Sequence, residues 1–171
     1  MRYLTFLLAT TTALAADLPR ITYSKSFPGS APPYVEIIVD KNGMAVYKES
    51  TDDEHPLKFR LTEAEASEVF ALAAKLDHFR RPLESGLKVA NMGKKSFRYE
   101  DGSVRNEVHF NFSQDLDART LIDWFERMTE TEQQFINLQR TTRFDKLGVN
   151  QALLQLQAIH ERKRLVAPEQ F

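Results

Sequence analysis

Apolar and polar residues alternate over residues 34–48, and the chain turns back at Asp40-Lys41-Asn42-Gly43. Two apolar runs around such a turn predict a β-hairpin. Two registers fit it. A two-residue Asn42-Gly43 turn sets Glu36 against Glu49. A type I turn over Lys41-Asn42, with Gly43 as a left-handed bulge, sets Glu36 against Lys48 and Ile37 against Tyr47. Like charges directly opposite are unfavourable, so the bulged register is expected. One face then carries Val35, Ile37, Val39, Ala45 and Tyr47. The other carries Tyr34, Ile38, Met44 and Val46 beside the Glu36–Lys48 pair. This second face is still half apolar, so a helix, another strand or a partner should cover it.

The rest of the chain patterns less sharply. Ile21 and Tyr23 alternate with Thr22 and Ser24, which predicts a short edge strand over residues 20–26. The prolines of residues 27–33 force a turn or extended bend. Leu57, Phe59 and Leu61 alternate with Lys58 and Arg60 as a further short strand. Thr62 with Glu65 is a capping box, and Val69, Phe70, Ala73, Leu76 and Phe79 form the apolar stripe of the helix it opens. A second hairpin turns at Asp101-Gly102. A two-residue turn there puts Phe97, Tyr99, Val104, Val108, Phe110 and Phe112 on one face, at the cost of Arg98 opposite Arg105. Asp115 or Asp117 caps a long helix striped by Ala118, Leu121, Ile122, Phe125, Met128, Phe135 and Leu138. Thr129-Glu130-Thr131-Glu132 breaks its spacing and is expected to kink or end it. Gly148 is a stop, and Asn150 caps a last helix running to about Leu165. Pro168 reads as the opening of a further element, so Phe171 need not be the end of the natural chain.

Strands, helix, hairpin, helices is the order of an α+β fold: an antiparallel sheet of five or six strands packed by helices, with a C-terminal helical extension. The expected division is a leader over 1–15, an α+β domain over 16–128, and a helical extension over 129–171. That extension either covers the outer face of the first hairpin or stands apart.

Composition adds an address. Met1-Arg2, an apolar threonine-rich run to Leu14, and Ala13-Leu14-Ala15 have the form of a secretory signal peptide, with the mature chain starting at Ala16. The run is too short to span a bilayer, and no later segment is apolar enough. The expected location is periplasmic or secreted. The net charge of −1, one unit more negative once Arg2 is removed, argues against nucleic acid as the main partner. The sequence has no cysteine, which excludes disulfides, thiol catalysis and cysteine metal sites.

Candidate chemistry is sparse. None of the histidines, His55, His78, His109 and His160, has a second histidine at metal-ligand spacing. His55 follows Asp52-Asp53-Glu54, a run that reads as a solvated loop. His109 lies on the polar face of the second hairpin near Lys94 and Glu107, with no serine or cysteine nucleophile in a recognisable motif beside it. Lys88, Lys94 and Lys95 with Arg98 and Arg105 form a modest basic patch, open to an anionic ligand but equally natural for a wet sheet face. No cofactor is implied.

Gly29-Ser30-Ala31-Pro32-Pro33-Tyr34, followed by a strand, Asn42-Gly43 and Tyr47, resembles the opening of a family of uncharacterised exported bacterial domains. These begin with Cys-x-Gly-x-Cys-Pro-x-Tyr before a strand, a glycine turn and a strand ending in tyrosine. The likeness runs over about residues 21–128. Phe27 and Ala31 stand where that family has its cysteines, so no redox or disulfide role carries over. The resemblance implies fold and location only. The expectation is therefore an exported, non-catalytic domain that binds another protein or an envelope component. Its expected interaction surface is Tyr34, Ile38, Met44 and Val46, with a polar face of Lys94, Arg98, Arg105 and His109. The alternative is a hydrolase or metal-dependent enzyme using His109 or His55. A small-ligand carrier is disfavoured by the bulky inward Phe and Tyr residues.

Overall fold

A computed structural model describes residues 18–171. The expected leader over 1–15 lies outside the described residues. Six strands form one antiparallel sheet: β1 (Arg20–Ser26), β2 (Tyr34–Asp40), β3 (Met44–Lys48), β4 (Leu57–Arg60), β5 (Lys94–Asp101) and β6 (Val104–Phe110), in the order β4-β3-β2-β1-β5-β6. Three helices, α1 (Glu63–Lys75), α2 (Leu116–Phe144) and α3 (Val149–Glu161), complete an α+β architecture.

The first hairpin takes the bulged register, with Glu36 opposite Lys48 and Ile37 opposite Tyr47. Asp40 fixes the turn: its Oδ1 accepts from the N–H groups of Asn42 and Met44 at 2.9 and 3.0 Å. Gly43 sits at φ +81°, and a Cβ there would lie 2.8 Å from the Leu61 carbonyl oxygen. Both the conformation and the close approach require glycine.

β1 is not an edge strand. It pairs with β2 on one side and β5 on the other, over its whole length on both. Its alternation is weak because Thr22, Ser24 and Ser26 point away from the helices. Thr22 is nevertheless buried, since its cross-strand neighbours Ile38 and Arg98 carry long side chains that stand on either side of it.

The second hairpin has the expected faces but a register two residues along. Asp101 pairs with Val104, so Gly102-Ser103 is the turn, with Gly102 at φ +55° in the first central position. Arg98 then faces Glu107, and Glu100 faces Arg105. The Arg98–Arg105 clash does not arise, because the two-residue shift keeps every face and converts a like pair into opposite ones.

Both long helices cover the same face of the sheet. Ile21, Tyr23, Ile37, Val39, Tyr47 and Phe97 meet Val69 and Ala73 of α1, Leu76 at its C-cap, and Leu121, Phe125 and Met128 of α2, all in one buried cluster. Aromatic rings fill the centre. Tyr23 stacks on Phe125 at 4.9 Å, Phe79 stacks on Phe97 at 5.0 Å, and Phe97 also meets Tyr23 and Phe110 at 5.4 Å. Between α1 and β5 the chain turns through Asp77, His78 and Phe79 with φ of +54, +48 and +64°. Burial of Phe79 and the contact of His78 with the Tyr99 ring hold this left-handed turn.

α1 begins with the expected capping box: Thr62 Oγ1 accepts from the Glu65 N–H, and a Glu65 carboxylate oxygen accepts from the Thr62 N–H. Asp115 caps α2 through the Ala118 N–H at 3.0 Å. α2 runs unbroken through Thr129-Glu130-Thr131-Glu132, contrary to the expected kink. These polar residues do not interrupt a buried stripe; they receive the C-terminal strap, residues 164–171. The Arg164 guanidinium reaches both oxygens of Glu130 at 2.7 and 2.9 Å and Asp123 at 2.8 Å. Thr131 Oγ1 accepts from the Val166 N–H, and Glu132 Oε1 accepts from Gln170 Nε2 at 2.9 Å. Val166 and Ala167 are fully buried there. α3 ends at Glu161, short of Leu165, and packs on α2. The C-terminal residues thus thicken the helical layer, and none of the described helices covers the other face of the sheet.

Candidate functional site

Strand alternation sorts side chains to opposite faces, so the pairing alone places every residue of the uncovered face. β2 and β3 bring Tyr34, Glu36, Ile38, Met44, Val46 and Lys48, and β4 adds Lys58 and Arg60 opposite Val46 and Met44. β5 and β6 bring Lys94, Ser96, Arg98, Glu100, Arg105, Glu107 and His109. All eight expected site residues therefore stand on one surface, the apolar four at one end and the polar four at the other. Tyr34, Ile38 and Val46 are half-buried and Met44 is exposed.

Between the two halves runs β1 with Thr22, Ser24 and Ser26. Ser24 and Ser96 join their hydroxyls across the ladder at 2.7 Å. Thr22 Oγ1 and Arg98 Nε are buried without a hydrogen-bond partner. The strip forms the floor of a shallow depression of about 280 Å³, walled by Tyr34 and Glu36 on one side and Arg98, Glu107 and His109 on the other. This hydroxyl strip was not anticipated. Its signal was present in the alternation of Thr22, Ser24 and Ser26, but reading β1 as an edge removed it from the centre.

The charges on this face are interlocked. Glu36 accepts from Lys48 Nζ and from the Tyr34 hydroxyl, both at 3.1 Å. Partial burial, and then Glu36 itself, pushes the Tyr34 hydroxyl up to about 12. Arg20 donates to Glu100 at 2.9 Å, and Arg98 and Arg105 stand 3.5 and 3.9 Å from the same carboxylate. Burial opposes ionisation of Glu100, but these three guanidiniums hold it below the usual carboxylate range. His109 lies 3.7 Å from Glu107 with its side chain 75% exposed.

Lys95 does not belong to the basic patch. It points to the helical side, where Nζ donates to the carbonyls of Met92 and Asn111 at 3.0 and 2.9 Å. Burial, and then Lys25, pushes its ammonium group down. Lys88 lies in the exposed loop before β5.

Ser96, the hydroxyl across the ladder from His109, is engaged by Ser24. His55 stands in an exposed loop where Asp53 accepts the His55 backbone N–H. Among the described residues no three histidine or carboxylate side chains converge as a metal site. No described helix is long and apolar enough to cross a membrane. No family model matches the chain, and no curated protein matches its sequence.

Proposed function

We propose that the chain is an exported, non-catalytic domain that binds another protein or a cell-envelope component through the open face of its sheet. One observation carries this reading: among the described residues every helix and the C-terminal strap lie on the other side of the sheet, and none covers Tyr34, Ile38, Met44 and Val46 beside a cationic half. An antiparallel sheet can leave one face to water, but such a face is ordinarily polar. A half-apolar face gains by covering its apolar end with a partner. The leader supplies the route out of the cell.

The test is site-directed crosslinking. A photo-reactive residue at Met44, in cells or envelope fractions, should capture a discrete partner. Ile38→Lys with Val46→Lys should abolish that product while the protein stays folded, melting several degrees below the parent because the two lysines face each other. Unchanged crosslinks in the double variant would sink the proposal.

A further inference from the structure

The far end of the helical layer carries a surface that the sheet face does not explain. Where α2 turns into α3, Phe144 is 83% exposed and Leu147 is 94% exposed, with Leu154 at 66% on the second turn of α3. Single exposed apolar residues are ordinary, but these cluster around one helical hairpin.

Charge segregates at the same place. α2 is rich in carboxylates as far as residue 132: Asp117, Asp123, Glu126, Glu130 and Glu132. From Gln133 through His160 the only carboxylate is Asp145, while Arg140, Arg143 and Lys146 supply cations. Asp145 is committed to its own turn, its Oδ1 accepting from the Gly148 N–H at 3.1 Å. Among the described residues none of the three cations pairs with a carboxylate. The helix dipole gives a local reason for Arg143, in the last turn of α2. It gives none for Lys146, beyond the helix end, or for the exposure of Phe144 and Leu147.

We propose that this tip docks on an anionic lipid bilayer. Phe144 and Leu147 enter the headgroup boundary, and Arg140, Arg143 and Lys146 meet the phosphates around them. Exposed apolar side chains with cations free of carboxylate partners on the same helical turn and connection match a surface that is apolar below and negative above. The tip belongs to the helical layer, so the inference stands independently of the open sheet face.

Vesicle sedimentation of the chain from Ala16, which contains every element described, tests it. The protein should bind vesicles of phosphatidylglycerol and phosphatidylethanolamine and bind pure phosphatidylcholine vesicles poorly. Phe144→Gln with Leu147→Gln, and separately Arg140→Gln, Arg143→Gln and Lys146→Gln together, should each weaken partitioning by about tenfold or more, with melting unchanged. Salt at about 0.5 M should weaken the parent strongly. A parent that stays in the supernatant with anionic vesicles overturns the proposal, as do variants that sediment like the parent. So does light scattering that shows a stable dimer dissolved by Phe144→Gln with Leu147→Gln, which would assign the tip to a second copy of the chain.

Discussion

Glu132 is the residue under most electrostatic tension. It is 1% exposed on the inner side of α2, with Oε1 accepting from Gln170 and Oε2 buried without a partner. Burial pushes its carboxyl up to about 7, against an ordinary value of 4.5, and the Gln170 hydrogen bond only partly offsets this. The folded state therefore holds a proton that the unfolded chain releases. Stability from that proton is fully present below about pH 4.5 and is lost as pH rises to about 7. A shift of this size corresponds to up to about 3 kcal/mol. The groups facing Glu132 do not compensate it. Tyr47, whose own hydroxyl is pushed up by burial and then by Glu49, donates to Glu49 at 2.7 Å rather than to Glu132. Glu132→Gln should therefore raise the melting temperature at pH 8 and change it little at pH 4. A melting curve series in which variant and parent keep the same pH dependence would show that Glu132 ionises freely.

At the scale of elements, legibility followed how local the determinant was. The first hairpin was legible because Asp40, Gly43 and the Glu36–Lys48 pair lie within a few residues of one another. Gly43→Ala should cost about 2 kcal/mol or more, since φ is positive and the Leu61 carbonyl blocks the added carbon. Denaturant midpoints can check this. The α1 capping box was legible for the same reason. The centrality of β1 and the continuity of α2 were not, because each depends on residues far along the chain; the second hairpin's register differed although its determinants, Gly102 and the Arg98–Glu107 pair, are local. β1 is central because β5, some seventy residues on, pairs with it. Thr131 and Glu132 look like a helix break until the strap arrives from residues 166 and 170. The site was partly legible: alternation put Ile38 and Arg98 on outward faces, but only β1 between their hairpins makes those faces one surface. Glu65 ties local and distant determinants together. One of its oxygens accepts from the Thr62 N–H at 2.8 Å and the other from the Ala167 N–H at 3.2 Å. Glu65→Ala should thus cost about 1–2 kcal/mol and speed hydrogen exchange both in the first turn of α1 and at Ala167. Faster exchange confined to α1 would show that the strap holds without it.

The whole molecule is two-sided: one face of the sheet is the core, and no described helix covers the other. Adjacent residues of β2 measure this directly. Ile37 is fully buried against the helices, while Ile38, one residue on, stands half-buried on the open face opposite Thr22 and Val46. Lysine at 37 would place an unpaired ammonium group among Tyr23, Val39 and Phe125, a loss of about 4 kcal/mol or more that approaches the whole stability of a domain this size. Lysine at 38 keeps its stem along Val46 and its charge in water, so it should cost about 1 kcal/mol. The pair of variants thus separates fold from function. Ile37→Lys should be found in inclusion bodies or melt far below the parent. Ile38→Lys should give a native far-ultraviolet spectrum and a melting temperature within a few degrees of the parent. Equal collapse of both variants would mean that something covers the open face in solution, and the C-terminal helices would be the first segment to examine. Survival of Ile38→Lys alone leaves that face available, and its apolar end then has no role in folding that would account for Tyr34, Ile38, Met44 and Val46 standing together.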